Sequence, residues 1–471
     1  MVNGDEILQN LDGDLYFNDG KFMPQKLAGN IVFQFFDEMT GKGINRGFQV
    51  TKDNKEIYRY NGGYYDPDGE DFIRDIAQIT LKERCKEHYL NEVISWVKTN
   101  SFFHIDRGDF DQNLNFVNLE NGIYDIQKKQ LIEHDQSKLF ISQLPVKYDP
   151  TADCPKIKQF IHEIIYDDDI STLQEFIGFC LYRKYLFHRA CMFIGDGKNG
   201  KSTLLKLIMT FLGENNVSNK ELQDLIYNRF SLAKLYGKHA NICGDLSDRA
   251  LQNPGRFKIL TGQDRIDAEE KFKGSFEFVN YAKLLFSTNK LPKSDDESYA
   301  FYRRWILISF PNVFEGDKCD PNILDKITTD QELSGLLNWA IEGLQRLLAN
   351  GEFSYGKTVE DVANQYKTLS DPVYAFCNEF LKCEMNEYIL KEDLRQRYYE
   401  WCEKNKLPKT PMNTLTGELS KHLPDLRAGN GGPKGNQKAA YRNITWKLMD
   451  QDPLTLHTEG LGEFGIGGLE N

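Results

Sequence analysis

The chain has 471 residues, of which 40% are hydrophobic and 27% charged, a make-up that excludes broad disorder and is long enough for about three domains with cores of their own. Seventy acidic residues against 58 basic ones leave a net charge of −12, so the surface as a whole does not attract polyanions, although a local basic channel within an acidic exterior is compatible with it. No run approaches the ~20 apolar residues of a membrane span, which excludes an embedded helical protein.

Residues 1–110 open on Met1-Val2-Asn3-Gly4-Asp5-Glu6, without the basic and apolar regions of a secretory signal, so a cytoplasmic location and no membrane partner are expected. Strand-like aromatics at Tyr58, Tyr60, Tyr64 and Tyr65 alternate with helical stretches such as Tyr89 to Val97, which predicts a small α+β module of unknown role. Residues 111–185 carry turns at Glu120-Asn121-Gly122 and Tyr148-Asp149-Pro150, then apolar residues at helical spacing: Ile157, Phe160, Ile161 and Ile164, followed by Leu173, Phe176, Ile177, Cys180 and Leu181. That pattern predicts a largely helical domain. Between 186 and 312 short apolar runs are separated by helices and loops, as in a parallel sheet with crossovers. Residues 313–368 return to helical periodicity from Leu333 to Leu344 and are expected to form a helical connector. A last domain is expected over 369–449, ahead of a Gly-rich tail at 450–471 that is expected to be flexible. The nine cysteines are scattered singly, with no Cys/His spacing suited to zinc.

The chemistry concentrates in the third segment. Gly195-Asp196-Gly197-Lys198-Asn199-Gly200-Lys201-Ser202 fits G-x-x-x-x-G-K-S, follows the apolar run Ala190 to Ile194 and precedes the helix-forming Thr203-Leu204-Leu205. A strand, a Gly-rich loop and a helix start in this order make a phosphate cradle. Backbone N–H groups from Gly195 to Thr203 converge on phosphate oxygens, Lys201 reaches the β- and γ-phosphates, and Ser202 holds Mg²⁺. ATP and Mg²⁺ are the expected cofactors. Ala240-Asn241-Ile242-Cys243-Gly244-Asp245 is a second apolar run ending in a carboxylate suited to Mg²⁺, or to capping the next turn. Ala282 to Asn289 is a third, ending in an amide that could orient the attacking water, or form a turn with Lys290-Leu291-Pro292. Arg303-Arg304 precedes the last run, Trp305 to Ile308, either solvated or set against a neighbouring subunit's γ-phosphate as an arginine finger. Between the second and third runs, alternation around Lys273-Gly274-Ser275 predicts a β-hairpin whose tip carries Lys271, Phe272 and Lys273. These are ammonium groups beside a ring, suited to a phosphate backbone and a stacked base, or a charged tip facing water.

The order phosphate loop, acidic strand, basic hairpin, Asn-tipped strand and arginine pair resembles superfamily 3 helicases, in particular the phage and plasmid primase-helicase branch that includes the poxvirus-type helicase domain. Asn121-Gly122-Ile123-Tyr124-Asp125, Leu173 to Gly178, Gly255-Arg256-Phe257-Lys258, Leu260-Thr261-Gly262 and Glu332 to Trp339 also carry the match, which covers roughly residues 110 to 447. The resemblance implies an α/β, P-loop AAA+-like core with a parallel sheet, flanked by a helical N-terminal domain and a C-terminal winged helix. It implies a hexameric ring with ATP at subunit junctions, bound by Lys201, Ser202, Asp245 and Asn289 on one side and completed by Arg303 or Arg304 on the other. Hairpins carrying Lys271, Phe272 and Lys273 would line a channel and follow single-stranded DNA, with translocation 3′ to 5′. In the last domain, Leu394, Tyr398 and Trp401 share a helical face, and Lys421, Arg427 and Lys434 would touch DNA phosphates. The chain departs from many relatives at Gly244, where a second acid is usual, which leaves Asp248 as a candidate base. The stretch before the helical domain is too short for a primase fold, so a separate primase or polymerase partner is expected. The implied function is an ATP-dependent DNA helicase or translocase in replication of a virus, phage or plasmid, in the host cytoplasm; the alternative is an origin-binding initiator whose ATPase switches assembly.

Overall fold

Five parallel strands form the central sheet, in the order Val217–Ser218, Ala240–Cys243, Lys283–Thr288, Ala190–Ile194, Trp305–Ser309. The structure is a computed structural model and describes residues 12–35, 47–195, 197–247, 249–269, 274–316, 319–405, 407, 409–432 and 437–447. The strand from Ala190 is buried along its whole length, as are those from Ala240 and Lys283. This explains why they read as unbroken apolar runs: a parallel sheet covered on both faces has no water side to alternate with.

The two faces have separate cores. Cys191, Phe193, Leu285, Ile306 and Ile308 join helices Pro155–Ile164, Asp167–Leu181, Lys201–Leu212 and Asp330–Asn350 in one cluster. Met192, Ile194, Leu284, Phe286 and Leu307 join helices Leu222–Tyr227, Gly255–Leu260 and Val359–Ser370 on the other face. Residues 313–368 therefore do more than connect, because they close both layers. Helix Asp330–Asn350 lies backbone-close on helix Asp167–Leu181: a Cβ on Gly178 would stand 2.2 Å from the Ala340 carbonyl oxygen. The crossing is locked by the buried Glu175 carboxylate, which accepts from Arg346 Nε at 2.7 Å, Ser354 N at 2.7 Å and Ser354 Oγ at 2.6 Å. A buried charge is tolerable only when its lone pairs are satisfied in this way.

The N-terminal module has the expected mixed character. Strands Tyr65–Asp66, Ile57–Tyr60, Phe48–Thr51 and His104–Ile105 lie side by side, with helices Gly69–Leu81 and Glu87–Thr99 closing a core of their own. The expectation of a largely helical 111–185 segment, and with it a helical N-terminal flanking domain, is corrected. Residues Phe116–Leu119, Gly122–Asp125 and Gln130–Ile132 form a three-stranded antiparallel sheet ahead of the two helices. The turn at Glu120-Asn121-Gly122 is thus a hairpin turn rather than a lead-in to a helix. Val117, Leu119 and Tyr124 of this sheet enter the same cluster as the phosphate-loop strand.

His239, at the lower end of the strand Ala240–Cys243, is fully buried. It bonds Ser142 Oγ at 3.0 Å and the Cys180 carbonyl oxygen at 2.9 Å. Burial, reinforced by the Arg183 charge, pulls its pKa from 6.5 down to about 3. Between those two values the unfolded chain takes up a proton that the folded chain refuses, so stability is intact above this window and falls as pH falls through it, by about 1.4 kcal/mol per unit. Urea unfolding at neutral pH and at about pH 4 should show this loss, and His239→Gln should flatten it.

The C-terminal domain has its own core around Phe376, Tyr398, Trp401, Leu415 and Leu419. Helices Pro372–Phe380, Lys391–Lys404 and Met412–His422 pack with a three-stranded antiparallel sheet, Leu381–Leu390, Lys438–Trp446 and Arg427–Gly431. The last two strands form a hairpin. Leu394, Tyr398 and Trp401 are all buried on one helix face. The expected tail at 450–471 lies outside the described residues.

Candidate functional site

In a parallel sheet every strand delivers its last residue to the same edge, and ligands gather there. The loop after Ile194, Asp245 after Cys243, and Asn289 after Thr288 meet at that edge. They line one cavity of about 390 Å³ with Gly197, Lys198, Asn199, Gly200, Lys201, Ser202, Thr203, Ser287 and Thr288. Ile194 pairs with Thr288, and the end of the strand Ala240–Cys243 is tied to the end of Lys283–Thr288 by Leu246 N to Ser287 O at 2.8 Å.

The loop turns into helix Lys201–Leu212 at Gly200, where φ is +88° and a Cβ would stand 2.6 Å from Ile164 Cγ2, leaving no room for a side chain. No side chain caps this helix, so its first N–H groups, which lack intrahelical partners, face the cavity beside the positive end of the helix dipole. Lys201 is buried, and its ammonium donates to the Gly195 carbonyl, to Asn199 Oδ1 at 3.0 Å and to Asn289 Oδ1 at 3.3 Å. The contact with Asn289 joins the phosphate loop to the third strand. Among the described residues Asn199 Nδ2 is buried with no hydrogen-bond partner, an unsatisfied donor beside the cavity. Asp245 stands at φ +73°, a left-handed conformation that costs free energy and recurs where a side chain must be aimed. These donors and the carboxylate fit a triphosphate and a divalent cation.

A second cavity of about 410 Å³ adjoins the first through Lys198, Gly200 and Thr203. Its walls are Phe160 and Ile164 on one side and Phe314, Cys319 and Ile323 on the other. The segment after the last strand is laid along the loop by Phe310 N to Ile194 O and Phe314 N to Lys198 O, both 2.8 Å. Lys198 pairs with Glu315 at 2.8 Å, which raises the lysine's pKa and lowers the glutamate's, but both groups face water and the pair contributes little. The sequence did not reveal this cavity. Phe160 and Ile164 read as the inner face of an amphipathic helix, and Phe314 belongs to no periodic element.

The arginine pair is elsewhere. Arg304 O accepts from Ala190 N at 2.7 Å, so the pair sits at the lower edge of the sheet, a five-residue strand or about 16 Å from the phosphate edge. The two side chains differ. Arg304 is buried, with Nε on Thr261 Oγ1 at 2.9 Å and Nη1 on the Ala300 carbonyl. Arg303 is half-buried, and its guanidinium makes no hydrogen bond or ion pair with a described residue.

The predicted hairpin is present as Arg265–Ala268 against Phe276–Val279, with Ala268 opposite Phe276. Lys271, Phe272 and Lys273 of its tip lie outside the described residues, as do Asp196, Asp248 and Lys434. Lys421 is exposed and paired with Glu418 at 2.6 Å. Arg427 is exposed and bonds the Pro424 and Leu426 carbonyls at 3.0 Å. Both stand on the C-terminal domain and neither lines the cavity.

Comparisons with known proteins follow the same order. Residues 29–165 match the D5 N terminal like family, 193–304 a family of unknown function (DUF5906), and 369–456 the Poxvirus D5 protein-like family. Primase D5 of Fowlpox virus (strain NVSL) is 24% identical over 234 residues, 45% of this chain and 29% of that protein. These matches support a D5-like primase-helicase family. A candidate helicase, 121R, of Invertebrate iridescent virus 3 is 23% identical over 345 residues, 64% of this chain and 36% of that protein. The chain thus spans about a third of the length of these curated relatives. Among solved structures, the apo C-terminal region of NrS-1 aligns over 87% of this chain and 98% of its own, at 12% identity and a TM-score of 0.47. Among the described residues no helix is long and apolar enough to cross a membrane.

Proposed function

We propose that the chain is an ATP-dependent DNA helicase or translocase of the superfamily 3, AAA+-like type, acting in replication as a ring of identical subunits. The observation that carries this reading is the single cavity uniting Lys201, Ser202, Asp245 and Asn289 at the ends of three adjacent strands. The names of the D5-like relatives support it.

Lys201 and the N–H groups of the loop would hold the β- and γ-phosphates, Ser202 and Asp245 would hold Mg²⁺, and Asn289 would orient the attacking water. Mg²⁺ bound there supplies charge neutralisation at the transferring phosphoryl group. Phe160, Ile164, Phe314 and Ile323 would enclose the base. Arg303, which has no hydrogen-bond or ion-pair partner among the described residues, is the better finger toward a neighbouring subunit's nucleotide, whereas Arg304 is committed to Thr261 and Ala300. The hairpin would follow single-stranded DNA, 3′ to 5′. The three helices and β-hairpin of residues 369–449 have the parts of a winged helix, with Lys421 and Arg427 placed for phosphate contacts.

The test is ATP hydrolysis with and without single-stranded DNA. Stimulation supports the motor; turnover indifferent to DNA at every concentration ends it. For the base cavity, Phe314→Ala should raise the KM for ATP on the order of ten-fold, since aromatic stacking on a base contributes roughly 1–3 kcal/mol. An unchanged KM would move the base elsewhere.

A further inference from the structure

Arg107 sits in a stretch, Asp106-Arg107-Gly108-Asp109, that reads as a solvated loop, yet its side chain is only 5% exposed. The turn between strands Phe48–Thr51 and Ile57–Tyr60 grips it. Asp53 accepts from Nε at 2.7 Å and from Nη2 at 3.2 Å, Asn54 Oδ1 from Nη2 at 2.8 Å, and Tyr58 OH from Nη1 at 3.3 Å. This paired carboxylate and amide set fixes the plane of the guanidinium. Its Cζ then lies over two neighbouring rings of the ATPase domain, Phe276 at 4.4 Å and Tyr236 at 4.8 Å. Phe276 is the first residue of the returning hairpin strand, opposite Ala268, so the cation touches the hairpin at the end nearest its tip. Tyr236 also packs edge-on against Phe276 and Phe278.

A second tie lies just past the other end of that strand. Tyr281 OH donates to Asp111 Oδ2 at 2.8 Å, and Asp111 is approached by Arg183 Nε at 3.8 Å and by Ile141 N at 3.4 Å. The returning strand is therefore held at both ends by residues 107–111, at the junction of the N-terminal module with the rest of the chain.

We propose, resting on the reading of the hairpin as the element that follows DNA, that the N-terminal module is a brace for it and that Arg107 is the positioning residue through which the brace acts. A hairpin free to tilt at its root would dissipate the contact energy of its tip; one clamped at Phe276 and Tyr281 delivers it to the strand Lys283–Thr288, which leads into Asn289. Lysine cannot replace the arginine, because an ammonium lacks the planar fork that Asp53 and Asn54 hold beside the two rings.

The test uses the full chain. Arg107→Lys should leave basal ATP turnover within about two-fold, raise the single-stranded DNA concentration for half-maximal stimulation on the order of ten-fold, and speed amide exchange across residues 265–279. Tyr281→Phe should act in the same direction, more weakly. The double variant Lys271→Ala/Lys273→Ala separates the two claims. If it abolishes stimulation while Arg107→Lys leaves half-saturation unchanged, the brace is overturned and the hairpin reading stands. If it keeps full stimulation, the hairpin reading falls and the brace falls with it. If Arg107→Lys lowers basal turnover in step with the DNA response, Arg107 is general scaffolding and the proposal is overturned.

Discussion

Lys201→Ala should reduce ATP turnover by about 10²–10³-fold or more, with and without DNA, the scale on which a preorganised donor acts on developing charge. The ammonium now bonds Gly195, Asn199 and Asn289, so its removal also unties the phosphate loop from the third strand. The helix that carries it is anchored separately by Leu204, Leu207, Ile208 and Phe211, all in the main core, so the variant should keep its melting temperature within a few degrees. Turnover measured beside thermal unfolding checks both statements. A variant that melts normally and hydrolyses ATP normally would remove Lys201 from the chemistry.

Arg303→Ala and Arg304→Ala should fail in different ways. Arg303→Ala should lower turnover by about 10³-fold, as expected for a transition-state guanidinium supplied across a junction, with unchanged stability because the side chain has no described partner in its own chain. Mixed with Lys201→Ala protein it should recover part of the activity, at junctions that combine two intact half-sites. Arg304→Ala removes the charged donor to the buried Thr261 Oγ1, which keeps its own bond to the Phe257 carbonyl, and should cost about 1–3 kcal/mol of stability, seen as a lower urea midpoint. If Arg304→Ala instead folds normally and is rescued by mixing while Arg303→Ala is not, the two roles are exchanged. Oligomer mass with ATP analogue and single-stranded DNA tests the ring directly.

Lys201, Ser202, Asp245 and Asn289 were legible as a group because a parallel sheet turns sequence order into spatial convergence: three apolar runs, each followed by polar residues, place those residues along one edge. The hairpin was legible for the complementary reason, that alternation of buried and exposed residues reports one covered face, as at Ile266, Ala268, Phe276 and Phe278. The sheet at 116–132 was not. Its strands are four residues or fewer, and its central Asn118 is buried, bonded to the Gly63 and Ser142 carbonyls at 3.1 and 2.9 Å, which removes the periodic contrast. Arg107 was hidden because its partners Asp53 and Phe276 are remote in the chain. The second cavity was hidden for the same reason, since Phe160 and Phe314 meet only once the sheet between them has formed.

The cluster that runs from Val117 through Phe193 to Phe353 also bears on how the molecule can be dissected. A fragment opening at the phosphate-loop strand would strip Leu173, Phe176 and Ile177 from their seats against Leu336, Ala340 and Leu344, leaving a wide greasy face to the solvent and inviting precipitation. A soluble fragment that keeps the central sheet should start ahead of Phe116 and finish beyond Tyr366, and assays on pieces trimmed more tightly would report on aggregates.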